Sequence, residues 1–370
     1  MSVRLGFEVV TVRIAPECEE TAKTAYGARE HARMNLEDLG AAAHAALTPE
    51  AREYIDRGAG PGTTGAANVA AWQHHRLMPH VLRDVAQVTT TTTVLGVAVA
   101  SPILVAPTAL HGLVCDDAER ATARAAARAE TIMVVSMASS LALEDIAAAA
   151  PAAPRFAQMY MLRDRGQTRA LAERAARCGC SAIVASVDGA AVPYGAQMRA
   201  DAGVDLPDSV NRLVDDFDPS VTFDDLARFR EWSGLPVVVK GVLRGDDARR
   251  CLDAGASAIA VSNHGGRIVD GCIDTAAALV DVVDTVGNRA EVYVDGGLRS
   301  GVDVLRALAL GAHATMIGRP VLWGLAVGGE QGVFDVLTAF TAEFRRAMAF
   351  CGATRLATVT SDLVFGKPHV

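Results

Sequence analysis

Two short segments concentrate residue types that can do chemistry. SNHGGR (262–267) places an imidazole, His264, three residues before a guanidinium, Arg267. An imidazole can take a proton near neutral pH, and a guanidinium can clamp an anion through a fork of hydrogen bonds. DGGLRSG (295–301), followed by IGR (317–319), brings in Asp295, Gly297, Arg299, Gly318 and Arg319. Glycines let backbone N–H groups approach a phosphate, helix starts attract its charge, and arginines add charge-assisted bonds. This pattern reads as a phosphate site in preference to a tight turn with solvated arginines. Lys240 ends PVVVK, a run otherwise suited to a core. It either faces an anionic cofactor atom or, with its pKa lowered by desolvation, forms a Schiff base. The phosphate signature favours the first. Asp188, at the end of AIVASVD, can orient and charge-stabilise the His264 imidazole. His74, His75 and His313 have no such neighbours and read as structural.

Such residues need a scaffold that brings them together. From residue 102 onward, short apolar runs recur, each followed by a helix-like, alanine-rich stretch: 102–107, 131–137, 155–160, 182–188, 236–241, 258–263, 291–296 and 314–319. Their near-continuous apolar character suits parallel strands buried on both faces. Eight such units predict a (β/α)8 TIM barrel with an N-terminal helical extension. A doubly wound open sheet is the alternative. It would normally carry G-x-G-x-x-G after its first strand, and APTALHG supplies none. In a barrel the strand ends share one rim, so Pro107, Thr108, Ser136, Gln158, Tyr160, Ser186, Asp188, Lys240, Ser262, His264, Asp295, Gly297, Gly318 and Arg319 would outline one polar pocket. The long 189–224 connection reads as a lid or a substrate-contacting loop.

Residues 1–34 show no clean period and read as an extension, accessory or weakly structured, before one domain over 35–370. A helix should start with Asn35 as N-cap, break at Pro49, resume to Tyr54 and end at Gly58. The 370-residue chain is 51% hydrophobic and 21% charged, which allows a large core and excludes wholesale disorder. A net charge of −8 gives no reason to expect a nucleic-acid partner. Seven scattered cysteines suit a reduced, cytoplasmic protein. Cys178-x-Cys180 alone is a weak metal signal, and no metal is expected. The longest apolar stretch, 94–107, is too short for a bilayer, so no membrane partner is expected.

These residues resemble the FMN-dependent 2-hydroxy-acid oxidases and dehydrogenases, a family including glycolate oxidase, lactate oxidase and mandelate dehydrogenase. The resemblance runs from about Asn35 to near the C-terminus. It is dense in VLRDVAQVTTTTTVLG, PILVAPTA, VKGVLRGDDAR, VSNHGGR, VDGGLRSGVDVLRALALGA and IGRPVLWGLA. It implies FMN as cofactor, a small-molecule substrate, molecular oxygen or another electron acceptor, and a homo-oligomer, commonly a tetramer. It makes His264 the base, supported by Asp188. Arg267 and Tyr54 would hold the substrate carboxylate, Tyr160 would bond near its hydroxyl, and Lys240 would stand by the flavin N1–C2=O edge. Flavin contacts would come from Pro107, Thr108, Ala109, Ser136, Gln158, Ser186, Ser262 and Asp295. Its phosphate would lie on Gly297, Arg299, Gly318 and Arg319.

Three departures shape the expected substrate. In DGAAVPYGAQMR, Gly195 stands where the family carries an arginine, and Arg199 is the nearest cation. Met137 is read as standing where glycolate oxidases have tryptophan, and the loop after the fourth strand is shorter than usual. These changes predict oxidation of a 2-hydroxy acid larger than glycolate. A second reading is a tailoring oxidase acting on a larger metabolite that is not a simple hydroxy acid. A third, a flavin-binding scaffold with little catalysis, fits poorly with a base opposed to an anion-stabilising lysine.

Overall fold

The computed structural model describes residues 36–189 and 215–366. Eight parallel strands close into a ring, which decides for the barrel over the open sheet. A short hairpin, β1 (Thr92–Val94) and β2 (Val97–Val99), precedes it. The barrel strands are β3 (Ile103–Val105), β4 (Met133–Val135), β5 (Arg155–Met159), β6 (Ala182–Ser186), β7 (Val237–Val242), β8 (Ala258–Val261), β9 (Glu291–Val294) and β10 (Ala314–Ile317). Each expected run holds one of them, β7 alone extending one residue past its run to Val242, and β10 pairs with β3 to close the ring.

Three helices lead in: α1 (Leu36–Ala46), α2 (Pro49–Asp56) and α3 (Thr63–His74). The break at Pro49 is a fresh helix start. Thr48 caps α2 by accepting the Ala51 N–H at 3.2 Å, and Pro49 takes a first-turn position where no N–H is needed. Sequence reading missed α3, whose TTGAANVAAWQH lacks an apolar stripe. The expected cap Asn35 and the 1–34 extension lie outside the described residues. Outside the barrel lie α4 (Ala118–Arg128), α5 (Leu143–Ala149), α6 (Arg165–Arg177), α7 (Leu226–Ser233), α8 (Gly245–Asp253), α9 (Thr275–Val286), α10 (Gly301–Ala309) and α11 (Arg319–Phe350). The last is interrupted at Gly328 and Gly329, where the backbone leaves helical angles.

The core has two parts. One fills the layer between strands and helices and includes Ile103, Val135, Ile183, Val239, Ile259 and Val294. The other includes Leu104, Val134, Phe156, Val184, Val238, Ala260, Tyr293 and Met316, together with Val94 and Val99 of the hairpin. Successive strand residues face opposite ways, so these two sets are the outer and inner faces of the same strands. Among the described residues no helix is long and apolar enough to cross a membrane.

Candidate active site

The period of two in the strands builds the site. Two residues beyond the inward-facing Val134, Phe156, Val184, Val238, Ala260 and Tyr293 stand Ser136, Gln158, Ser186, Lys240, Ser262 and Asp295. An apolar plug is therefore followed, one pleat higher, by a polar layer at the C-terminal ends of the strands. A cavity opens above it, lined by Tyr54, Pro107, Thr108, Ala109, Ser136, Gln158, Tyr160, Ser186, Lys240, His264, Arg267, Asp295, Gly297, Arg299, Gly318 and Arg319. Every one of these was expected at the site. Two expected residues stand behind the wall. Ser262 is fully buried, its hydroxyl accepting from Lys240 Nζ (2.9 Å) and from the His264 N–H (3.0 Å). It positions those two groups and does not itself face the cavity. Asp188 lies behind His264.

His264 holds a left-handed backbone, φ 58°, uncommon for a residue with a side chain and typical of functional positions. Its Nδ1 lies 3.1 and 3.0 Å from the two Asp188 oxygens. Burial would raise the Asp188 pKa, but the adjacent imidazole and the Lys240 ammonium outweigh it and hold the carboxyl below its ordinary value. Asp188 is therefore ionised and accepts a hydrogen bond from Nδ1–H, leaving Nε2 as a base 3.3 Å from the Tyr160 hydroxyl. Of the two glycines after His264, Gly265 lines the cavity and Gly266 serves packing. A Cβ on Gly266 (φ 78°) would come within 2.6 Å of the Gly65 backbone, so the turn packs directly on α3. A buried pair of amides, Asn68 with Asn263, locks that contact through two bonds of 2.8 Å.

Lys240 is 3% exposed and pairs with Asp295 at 3.2 Å. Burial works to lower its pKa, yet the Asp295 and Asp188 carboxylates prevail and raise it. The amine is thus a fixed ammonium, which argues against the Schiff-base alternative.

Three guanidiniums crowd one side. Arg267 donates to the carbonyls of Tyr54 (2.8 Å) and Arg57 (3.0 Å) and lies over the Tyr54 ring, 5.2 Å from its centroid. Arg319 donates to the carbonyls of Ile55 (2.9 Å) and Gly265 (3.1 Å), tying the end of α2 to the His264 turn. Its pKa is pushed down to about 10 by burial and by the charges of Arg267 and Arg299. Burial likewise lowers Arg299. Concentrated, partly desolvated positive charge of this kind calls for an anion. Burial raises the Tyr54 pKa, so its hydroxyl stays protonated; it donates weakly to the Ala109 carbonyl at 3.4 Å.

The helix-start amides expected to receive a phosphate are committed elsewhere. Asp303 accepts the N–H groups of Arg299 (3.0 Å) and Ser300 (3.1 Å), and Glu343 accepts that of Gly301 (3.0 Å). Gly297 is likewise set by packing: a Cβ there would lie 2.1 Å from the Asn68 carbonyl oxygen. The start of α11, with Gly318 as a cap lacking any side-chain bond, is the helix terminus that opens on the cavity. FMN fits this donor set. The arginines and the α11 start suit its phosphate, and the buried Asp295 Oδ1, with no partner of its own, suits a ribityl hydroxyl. Gln158 bridges Ser136 (3.3 Å) and Ser186 (3.1 Å) along the polar layer between them.

The wall residue is also corrected. Met137 turns away, its sulfur accepting the Tyr160 N–H at 3.0 Å, and the side chain facing the cavity is Ala138. The period of two explains this: carried on from Val134 and Ser136 it turns Ala138 inward and Met137 outward, whereas the expectation for Met137 rested on the resemblance alone. The opening is therefore wider than a methionine would leave it. Gly195 and Arg199 lie outside the described residues. Phe217, which sequence reading missed, lines the cavity from the far end of the 189–224 connection. Among the described residues no group of His, Cys, Asp or Glu is placed to hold a metal ion.

A profile of the FMN-dependent dehydrogenases matches residues 43–365. An L-lactate oxidase from Nostoc is 40% identical over 90% of this chain and 98% of its own length. The rat 2-hydroxyacid oxidase 2 is 38% identical over 89% of this chain and 97% of its own. Among solved structures, a mandelate oxidase variant with (S)-mandelic acid superposes with a TM-score of 0.82 at 39% identity, covering 90% of this chain and 98% of that one.

Proposed function

The chain belongs to the FMN-dependent dehydrogenase family and is an oxidoreductase acting on the CH–OH group of 2-hydroxy acids, and on that premise we propose that its substrate is larger than glycolate and its electron acceptor is molecular oxygen. A 2-hydroxy acid loses two electrons and two protons to become the 2-oxo acid, and oxygen takes them up as hydrogen peroxide. FMN, when bound, supplies the two-electron relay between them. The observation that carries this reading is the alignment of Asp188 behind His264, with His264 and Tyr160 on the cavity that Arg267 and Lys240 also line.

Each side chain has a definable task. Arg267 and the protonated Tyr54 hydroxyl hold the substrate carboxylate. Tyr160 orients the substrate hydroxyl toward His264 Nε2, which removes a proton as general base. The resulting imidazolium is stabilised by Asp188. Lys240, a permanent cation, would stand beside FMN and offset the negative charge that the cofactor would gain with the substrate's electrons. Arg299, Arg319 and the α11 start hold the cofactor phosphate, and Asp295, Gln158, Ser136, Ser186 and the 107–109 segment take its remaining polar edges. The catalytic unit is one domain, 35–370, with residues 1–34 accessory.

Substrate size follows from Ala138. A small side chain on the wall leaves space that a two-carbon acid would not fill. Aerobic turnover should yield 2-oxo acid and peroxide in equal amounts, with kcat/KM higher for mandelate than for glycolate. Ala138→Trp should reverse that preference by about tenfold or more, since a filled pocket discriminates on this scale. A wild-type preference for glycolate would refute the size assignment. The six cysteines among the described residues are all unpaired, which supports a reducing, cytoplasmic setting. The exposed apolar side chains of Val81, Leu82 and Phe365 support self-association, to be checked by light scattering. A monomer mass would exclude it.

A further inference from the structure

Phe217 is the aromatic residue at the cavity that the reaction does not require. Its ring stacks on Tyr160 with centroids 4.2 Å apart and 27° between planes, and the Tyr160 ring in turn lies 6.4 Å from that of His264 at 21°. The chain invests in holding it there. Leu162 and Phe217 form an antiparallel bridge. The Arg163 N–H donates to the Asp216 carbonyl (2.8 Å), and the Asp218 N–H donates to the Met161 carbonyl (3.0 Å). Arg165 pairs with Asp218 at 2.5 Å, and the Asp218 carboxylate also accepts from the Ser220 N–H (2.8 Å) and hydroxyl (2.7 Å). The backbone on both sides of Phe217 is thus fastened to the segment that continues β5, fixing the ring before any substrate arrives.

Two features of the neighbouring strand end give the ring something to select. Ala138, on the segment after β4, leaves the wall beside Tyr160 without bulk. Met137, whose sulfur holds the Tyr160 N–H, keeps that segment and the tyrosine in register. A preorganised aromatic ring on the cavity, next to an open wall, suits a flat side chain attached to the carbon that bears the hydroxyl. We propose that Phe217 is a specificity-determining residue that selects 2-hydroxy acids with an aromatic side chain. This rests on the 2-hydroxy-acid reading above and names its substrate class. An aliphatic side chain gains contact with the ring but not the quadrupole complementarity of an aromatic pair.

The test compares wild type, Phe217→Leu and Phe217→Tyr holoenzymes. Mandelate and 2-hydroxyhexanoate serve as substrates, and phenylacetate and hexanoate as non-reacting ligands read by the flavin visible spectrum. Phe217→Leu should lower kcat/KM for mandelate by about tenfold, chiefly through KM, and change 2-hydroxyhexanoate by less than about twofold. Phe217→Tyr should restore mandelate turnover. Phenylacetate should bind about tenfold more weakly to Phe217→Leu, with hexanoate unchanged. Equal losses for both classes, or none, would overturn the assignment and leave Phe217 as a pillar for Tyr160. If no hydroxy acid were turned over while phenylacetate binding still followed residue 217, the reaction would be misassigned and the aromatic subsite would stand.

Discussion

Replacing His264 with asparagine is expected to lower kcat by a factor of about 10²–10⁴ for every substrate oxidised, with FMN still bound. Asparagine is the informative choice because the position has φ 58°, a conformation that asparagine tolerates better than most residues. The fold and the Ser262 contact of the backbone N–H should survive, so the loss reports the missing base. Asp188→Asn should give a smaller loss with the same signature, because an amide can still bond Nδ1 but cannot balance an imidazolium. The depressed Asp188 pKa adds a pH dependence. Its stabilisation is complete above the unfolded value of about 3.9 and disappears as pH falls through the lower folded value. Acid unfolding monitored with and without Asp188→Asn should differ in that window. A His264→Asn enzyme within threefold of wild-type kcat would remove His264 from the mechanism.

The second large effect is on Lys240. Lys240→Met removes the one cation paired with Asp295, whose other oxygen already has no partner among the described residues. Breaking a buried pair from one side costs about 3–5 kcal/mol, so thermal unfolding should move down by several degrees. FMN should bind more weakly and substrate-driven bleaching should slow, because the cation that would offset the charge of the electrons arriving on the cofactor is gone. The raised Lys240 pKa fixes the sign of the alkaline limb. Its stabilisation is fully present below the unfolded value of about 10.4 and is lost as pH rises through the higher folded value. Wild type should therefore lose stability at high pH more steeply than Lys240→Met. An unchanged melting temperature would mean that the pair contributes nothing net.

The barrel and most of its rim were legible because two simple signals coincide. Apolar runs mark strands buried on both faces, and a period of two, carried one step past the inner layer, names Ser136, Gln158, Ser186, Lys240 and Asp295. The same period, carried one step further, also names Ala138 and turns Met137 away; the expectation for Met137 came from the resemblance and ignored that alternation. Gly297 lines the cavity as expected, but it and Gly266 also lack a side chain because both are fitted against α3, an element with no stripe to announce it. The hairpin also carries a readable cue that was passed over: Leu95 and Gly96, both at positive φ, form a two-residue turn between β-branched strands. Phe217 is different in kind. It reaches the site through backbone pairing with residues 161–163, a long-range contact with no local trace in the sequence.

The central claim is that this chain uses FMN to oxidise a 2-hydroxy acid with His264 as base. It is tested most directly by mixing the purified holoenzyme anaerobically with (S)-mandelate and following the flavin absorbance. Rapid bleaching is predicted, with benzoylformate formed in an amount equal to the flavin, colour returning on admission of oxygen, and the bleaching rate falling at least about a hundredfold in His264→Asn. A flavin that stays oxidised with mandelate, lactate, glycolate and longer 2-hydroxy acids alike, or one that bleaches equally fast without His264, would contradict the account.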